Sequence, residues 1–206
     1  FLKGDQTTNI PDVLQSGFTG NKSYTNCFVK DGFAYFSAGL GVIVLNLSKR
    51  EIKETWIIGN TGNQTPVYTL SLFNNQFFAA TAEGLKVATA NNPALTDYRN
   101  WQNLSGTNGL SPGAINNVGV SYGSLFIHKN DSLLIYKNGS WVPFYTDNNW
   151  RITQANFFPN SIHLSQKTNT GNARVIVLNT NSNIIRTISQ PGVISDPRNS
   201  IADGNT

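Results

Sequence analysis

The feature that most constrains the fold is a pattern of four short runs between Thr25 and Trp56. Apolar and polar residues alternate within each run, and β-branched and aromatic residues are common. Alternation with a period of two indicates half-buried β-strands. Asp31-Gly32 separates the first two runs, and Asp-Gly between alternating runs is a strong hairpin signal. The stretch therefore predicts an antiparallel meander of four strands.

The same four-part pattern recurs along the chain at intervals of roughly 40 residues, which is typical of propeller blades. We predict an all-β chain that forms part of a β-propeller, with residues 1–206 in a single domain. Because both ends carry only partial units, an open arc of about four complete four-stranded blades is expected. The complete blades are expected over residues 23–58, 66–104, 114–146 and 151–190, and the incomplete blade strands over residues 8–14 and 194–206.

The composition excludes several classes of partner and site. The net charge is +4, but only 13% of the residues are charged, and Lys49-Arg50 is the only adjacent basic pair. Nucleic-acid-binding proteins concentrate basic residues on one face or helix, so no nucleic-acid partner is expected.

No apolar run approaches the ~20 residues of a membrane-spanning helix. Cys27 is the single cysteine, which excludes an internal disulfide, and its place in an apolar run predicts a buried thiol.

Several stretches resemble one known family. Residues 35–47 and 49–59, which read YFSAGLGVIVLNL and KREIKETWIIG, carry the first part of the likeness. Residues 77–85 with Asn100-Trp101 continue it in the next blade, and residues 194–203 resemble the opening of a later blade. Together these residues resemble the N-terminal β-propeller of PorZ-like proteins, which belong to the type IX secretion system of Bacteroidetes.

The resemblance implies an exported protein at the cell surface or in the periplasm, without enzymatic activity. PorZ-like proteins act beside the sortase that attaches secreted cargo to anionic lipopolysaccharide, and they are associated with binding that glycan. The expected partners are therefore sortase-like secretion proteins and anionic lipopolysaccharide. The expected role is a scaffold in cargo attachment that binds proteins, anionic glycan or both.

A second likeness supports an alternative function. Residues 108–118, NGLSPGAINNV, are similar to the opening of two-component regulator propellers. That signature normally continues into an Asp-Gly-x-Leu-Trp strand, which residues 122–126 only approximate. The alternative is a periplasmic ligand-sensing propeller of a hybrid two-component sensor.

The sequence offers little for catalysis. His128 and His163 are the only histidines, and each lies in the second strand of its blade, where packing is the expected role. Nucleophile motifs and phosphate-binding glycine loops are absent, and the acidic residues lie mainly in turns. We expect no catalytic residues, no metal site and no cofactor. Trp56, Trp101 and Trp141 fall in outer strands, where packing between blades is expected.

A binding surface is expected where the long loops lie. Connections between blades share one face of a propeller with the turns that join second and third strands, and recognition residues often lie on such loops. Within these loops, Asn149, Trp150 and Arg151 place an amide, an aromatic ring and a guanidinium side by side. This set suits stacking on, and hydrogen bonding to, an anionic sugar. The alternative is that Trp150 packs between the third and fourth blades. The loops of this face are 59–66, 104–114, 146–151 and 190–199, beside 167–172.

Overall fold

The computed structural model describes residues 21–189 and the backbone of residues 2–3 and 6–7. The described residues form four antiparallel sheets of four strands each, in which consecutive strands are neighbours. They contain no α-helix and one short 3-10 helix. The predicted all-β fold class, a partial β-propeller, is confirmed.

Strands are numbered in chain order, and a short hairpin pairs β1 (Leu2–Lys3) with β2 (Gln6–Thr7). Sheet I contains β3 (Tyr24–Lys30), β4 (Phe33–Ala38), β5 (Gly41–Asn46) and β6 (Glu51–Trp56). Sheet II contains β7 (Val67–Phe73), β8 (Gln76–Thr81), β9 (Gly84–Thr89) and β10 (Gln102–Asn103). Sheet III contains β11 (Asn117–Ser121), β12 (Ser124–Lys129), β13 (Ser132–Lys137) and β14 (Ser140–Thr146). Sheet IV contains β15 (Arg151–Phe158), β16 (Ser161–Lys167), β17 (Ala173–Leu178) and β18 (Ile184–Ile188).

The chain divides into two compact units, Phe1–Asn103 with sheets I and II, and Leu104–Thr206 with sheets III and IV. The strands expected over residues 8–14 and 194–206 lie outside the described residues. The assignment of residues 1–206 to a single domain, and the open arc, therefore remain predictions.

Aromatic side chains from two sheets form the core of the first unit. Trp56 from sheet I packs against Phe77 and Trp101 from the second repeat, with ring centroids 5.3 and 5.6 Å apart. Both tryptophans are buried, and aliphatic residues such as Val44 and Leu70 complete the cluster. The predicted packing of Trp56 and Trp101 is confirmed. Because large aromatic rings bury 150–250 Å² each, these contacts dominate the burial that holds sheets I and II together.

The second unit has a core of its own between sheets III and IV. Phe126 and Leu133 from sheet III contact Ile152, Leu164 and Ile176 from sheet IV. The members from β16 and from β17 recur at every second position, as expected for the buried face of a sheet. On β15 a bulge between Ile152 and Gln154 shifts this spacing. The opposite face of sheet IV is therefore the one that points away from sheet III.

Two glycines are required by close approach. Gly41 opens β5 with a φ of +147°, and a Cβ there would lie 2.1 Å from the carbonyl oxygen of Trp56. Gly119 on β11 lies against Phe157, where a Cβ would lie 2.4 Å from the ring. Side chains at these positions would push neighbouring strands apart.

The outer strand of sheet II differs from the prediction. The sequence predicts a strand over residues 98–104, whereas the structure has a 3-10 helix over Tyr98–Asn100 and only the two-residue strand β10. The reason is local, because the side chain of Asp97 accepts a hydrogen bond from the backbone N–H of Arg99 at 3.0 Å. Such a cap favours a helical turn over an extended chain.

The prediction of a buried Cys27 thiol is wrong, because this side chain is exposed. Side chains alternate between the two faces of a strand. On β3 the inward position belongs to Phe28, whose ring stacks on Tyr35 with centroids 4.8 Å apart. Cys27 therefore points to the opposite face. Partial burial still raises the pKa of its thiol.

Candidate functional site

The candidate site lies at what we call the linker end of a sheet, the end at which the second strand turns into the third. The linkers that lead into sheets II, III and IV run over residues 57–66, 104–116 and 147–150. Each linker makes hydrogen bonds with the linker end of the sheet that it enters. In all three cases a Lys or Arg side chain with little exposure makes the contact, so the loops are held on the sheets by charge-assisted hydrogen bonds.

In sheet II the cation is Lys86, whose side chain is only 1% exposed. Its Nζ donates to Asn60 Oδ1 at 2.7 Å and lies 3.4 Å from Glu83 Oε2. An ammonium here replaces an aliphatic side chain of the repeat. The equivalent positions of the other sheets, read from the strand registers, carry Ile43, Leu134 and Ile176.

The network around Lys86 fixes the linker on the turn. Burial lowers the pKa of Lys86, and Glu83 offsets this shift only in part. Burial raises the pKa of Glu83, but hydrogen bonds from the Asn63 side chain and the Asn60 backbone, together with Lys86, outweigh it and leave the pKa below its ordinary value. Asn103 Nδ2 also donates to Asn60 Oδ1 at 3.0 Å.

In sheet III the cation is Lys129, which is 6% exposed. Its Nζ donates to the carbonyl oxygens of Pro112 and Ala114 at 3.0 and 3.1 Å, and burial lowers its pKa. Both partners belong to the backbone of the linker. Lys129 therefore holds the path of this loop whatever side chains the loop carries.

Asp147 organises the linker into sheet IV. Its Oδ1 accepts hydrogen bonds from the backbone N–H groups of Asn149 and Trp150 at 2.9 and 3.2 Å. Its Oδ2 accepts from Arg174 Nη2 at 2.8 Å and from the Tyr145 hydroxyl at 3.3 Å. One carboxylate thus sets both the turn of the loop and its attachment to β17.

Trp150 is half-buried, and Arg174 covers one face of its ring. The guanidinium carbon of Arg174 lies 4.1 Å from the ring centroid, a cation–π arrangement. Gln166 Oε1 accepts from Arg174 Nε at 2.9 Å, which fixes the guanidinium over the ring. Part of the Trp150 surface is therefore used in packing, and the remainder faces solvent.

Arg151 and Asn149 are exposed. The Arg151 side chain is 71% exposed, and its Nε lies 3.6 Å from Asp131 Oδ2. The three residues expected at the site are thus neighbours on one ordered loop, but Arg174 is the cation that touches the tryptophan. Their assignment to a binding site remains a prediction.

The sequence predicts that Lys167 lies on the face of the long loops, but it connects neither Lys167 nor Arg174 with the residues of the candidate site. Arg174 lies 24 positions after Trp150, and Lys167 lies 16 positions after Arg151. The register of β15 with β16 places Arg151 directly opposite Lys167. Neither cation stands in a motif, so only the pairing of strands identifies them as neighbours of the loop.

The histidines are packed, as predicted. His128 and His163 are 3% and 8% exposed, and burial lowers the pKa of both, with a further lowering of the His163 pKa by Arg186. His128 Nε2 donates to the Asn130 carbonyl oxygen at 2.6 Å, and His163 Nε2 lies 3.1 Å from Ser161 Oγ. In a Ser-His-Asp triad a carboxylate orients the imidazole. Here the charged group that acts on His163 is a guanidinium.

The described part of the chain lacks two further features. No group of three or more His, Cys, Asp or Glu side chains there could hold a metal ion. None of its helices has the length and apolar character needed to span a membrane.

Solved structures with the same fold include bacterial surface and sensor proteins. The structure of PorZ, described as an essential bacterial surface component of the type IX secretion system of Porphyromonas gingivalis, matches with a TM-score of 0.68 and 14% identity. That match covers 89% of this chain and 23% of PorZ. The extracellular domain of the proposed one-component system BT4673 from B. thetaiotaomicron matches with a TM-score of 0.61 and 14% identity, covering 84% of this chain and 23% of that one.

A third structure, the extracellular domain of the proposed hybrid two-component system BT3049 from B. thetaiotaomicron, has a TM-score of 0.56 and 9% identity. Its match covers 81% of this chain and 22% of that one. At these identities the likeness shows the fold alone. The chain spans less than a quarter of the length of each of these proteins. A search of the curated proteins found no match.

The family comparison is more specific. Residues 1–102 match the family described as the TSS9 PorZ N-terminal β-propeller domain. The matched residues include sheets I and II, where the sequence likeness is strongest. The resemblance recognised from the sequence is thereby confirmed over residues 1–102, which are just under half of the chain.

Proposed function

We propose that this chain is part of an exported, non-enzymatic cell-envelope protein that serves type IX secretion at the cell surface or in the periplasm. It acts there as a scaffold that binds protein partners, such as a sortase, and anionic lipopolysaccharide during cargo attachment. The observation that carries this proposal is the match of residues 1–102 to the PorZ N-terminal propeller. That family is not a known enzyme family, which supports a non-enzymatic role.

The linker into sheet IV is the proposed contact surface. Asn149 and Arg151 are exposed, and Trp150 is exposed in part. An aromatic ring stacks on the apolar face of a sugar, while amide and guanidinium groups donate hydrogen bonds to its hydroxyl and anionic groups. Because Asp147 fixes the backbone of this loop, little conformational entropy is lost when a ligand binds.

The charge of the second unit supports an anionic partner. Residues 104–189 contain six Lys and Arg residues but only two acidic residues, Asp131 and Asp147. Both carboxylates are paired with arginines at linker ends. A surface with an excess of positive charge attracts anionic ligands and raises their rate of association.

The test is a double variant, Trp150→Ala with Arg151→Ala, assayed for binding to anionic lipopolysaccharide and to the sortase partner. A matched control is Tyr136→Ala with Lys137→Ala, which removes an exposed adjacent aromatic and cation from the opposite end of sheet III. We expect at least a tenfold loss of affinity for one of the two partners in the first variant and none in the control. Parental affinity for both partners in a folded Trp150/Arg151 variant would refute the proposed site.

A second candidate function is a periplasmic ligand-sensing propeller of a hybrid two-component sensor. It is favoured by the matching extracellular domains from B. thetaiotaomicron and by the sequence of residues 108–118. A sensor domain of this kind binds a soluble ligand. A thermal-shift screen with soluble oligosaccharides distinguishes the two functions, because saturable stabilisation by one neutral sugar, without binding to lipopolysaccharide, supports the sensor.

A further inference from the structure

Arg151 and Lys167 form a pair of like charges at the linker end of sheet IV. They are directly opposite each other in the register of β15 and β16, which brings their Cβ atoms to about 5 Å. Like charges in this arrangement destabilise a sheet. Within residues 21–189, Arg151 has one carboxylate partner, Asp131, at 3.6 Å. The two side chains are 71% and 45% exposed, so this ion pair offsets little of the repulsion.

The other charges near this pair are already engaged. Arg174 is bound to Asp147 at 2.8 Å, and it extends from the sheet face that points towards sheet III. Within residues 21–189, no ion pair involves Lys167. The pair of Arg151 and Lys167 therefore keeps an excess of positive charge at this end of sheet IV.

The turn beside the pair is also unlike its counterparts. In sheet IV, five residues (168–172) separate the paired residues Lys167 and Ala173. The corresponding turns of the other sheets contain two residues, 39–40, 82–83 and 130–131. The longer turn adds exposed polar groups, among them the hydroxyl of Thr170 and the amide of Asn172, beside two cations that share one acid, Asp131.

We propose that Arg151 and Lys167 together bind one anionic group of a ligand, a phosphate or a carboxylate, between the guanidinium and the ammonium. A guanidinium provides two parallel N–H donors for such a group, and an ammonium adds a compact point charge. The bound anion replaces the repulsion between the two cations with two attractions. This inference rests on the proposed function and refines it, because it assigns the anionic part of the glycan to Arg151 and Lys167.

The test uses the 206-residue chain and the variants Arg151→Gln and Lys167→Gln. The matched control is Lys137→Gln, which removes the same charge from the opposite end of sheet III. Calorimetric titrations use a phosphorylated oligosaccharide, its dephosphorylated counterpart and an oligosaccharide of uronic acids. We expect each site variant to weaken binding of an anionic sugar at least tenfold, and the control to change it less than twofold. The phosphorylated and carboxylated ligands show which anion the pair prefers.

A measurement without ligand provides an independent readout. If Lys167 repels Arg151, Lys167→Gln slightly raises Tm, whereas removal of a lysine that holds the fold together lowers it. Three results would each overturn the inference. They are a lower Tm in Lys167→Gln, parental affinity for the anionic sugar in both site variants, and an equal loss of affinity in Lys137→Gln. If the parent chain binds no anionic sugar, the glycan-binding part of the proposed function falls as well. If it binds and the site variants bind equally well, only this inference falls.

Discussion

Replacing Lys86 by methionine tests the energetic role of the buried ammonium in sheet II. The substitution keeps an unbranched side chain, shorter by one atom, and removes the charge. It also restores the apolar character that the equivalent positions have in the other sheets. No buried group is orphaned, because Asn60 Oδ1 keeps its hydrogen bond from Asn103 and Glu83 keeps its hydrogen bonds from Asn60 and Asn63.

Two opposing terms set the expected size of the effect. At 3.4 Å, the attraction between Lys86 and Glu83 amounts to about 5 kcal/mol at an effective dielectric constant of about 20. Transfer of the ammonium from water into the protein costs several kcal/mol, so the two terms nearly cancel. We therefore expect Lys86→Met to be as stable as the parent at pH 7, or up to ~2 kcal/mol more stable. Lys86→Ala leaves a cavity and should lose about 2–4 kcal/mol.

The pH dependence gives the sign of the charge effect. The pKa of Lys86 is lowered in the folded state from its ordinary value of 10.5. Between the folded and unfolded values, the unfolded chain binds more protons, so the stability of the parent rises with pH. Lys86→Met lacks this contribution. Its advantage over the parent should therefore shrink as pH rises towards 10.5.

Urea denaturation followed by tryptophan fluorescence measures both effects, since Trp56 and Trp101 lie in the core of the same unit. Parent, Lys86→Met and Lys86→Ala are compared at pH 7 and at several values up to 10.5. A loss of more than ~2 kcal/mol in Lys86→Met at pH 7 would show that the ion pair outweighs desolvation. A free-energy difference independent of pH would show that Lys86 has no lowered pKa.

Three further experiments test the packing and electrostatics by urea denaturation. Gly41→Ala should lose about 1–3 kcal/mol, because a Cβ would meet a backbone oxygen at 2.1 Å, and parental stability would refute the close approach. A double-mutant cycle between Asp147→Asn and Arg174→Gln should give a coupling free energy of about 1–2 kcal/mol. This is less than a fully buried pair would give, because both side chains keep some exposure. Additive effects of the two substitutions would contradict the expected coupling. Because the pKa values of His128 and His163 are lowered in the folded state, the unfolded chain binds more protons as pH falls below 6.5. The free energy of unfolding of the parent should therefore fall in that range. A variant with both histidines replaced by glutamine whose stability has the same pH dependence as the parent would contradict this.

Local sequence patterns were sufficient for most strands. The strands predicted over residues 67–73 and 76–81 have those bounds in the structure. Their alternation and the intervening Asn74-Asn75 turn are properties of neighbouring residues, and both asparagines adopt positive φ. The strand predicted over residues 98–104 was wrong because the Asp97 cap competes with extension, and a run of suitable residues does not reveal that competition.

Features that depend on distant residues were not predictable. The alternation in β3 shows that two faces exist but not which one is covered, so Cys27 was assigned to the wrong face. Lys86 stands in an apolar run, but its partner Asn60 precedes it by 26 positions. The proximity of Arg151 to Lys167 follows only from the register of β15 and β16. The loop at Trp150 was recognised from its composition, whereas the cation that covers it was not.

The most direct test of glycan binding at the linker end of sheet IV is a hydrogen-exchange footprint of anionic lipopolysaccharide on the 206-residue chain. Backbone N–H groups of residues 147–151 and 168–172 should exchange more slowly when the ligand is bound. The turns at the opposite ends of sheets III and IV, residues 138–139 and 159–160, should be unchanged. Protection confined to those opposite turns, or an unchanged exchange pattern at saturating ligand, would contradict binding at this site.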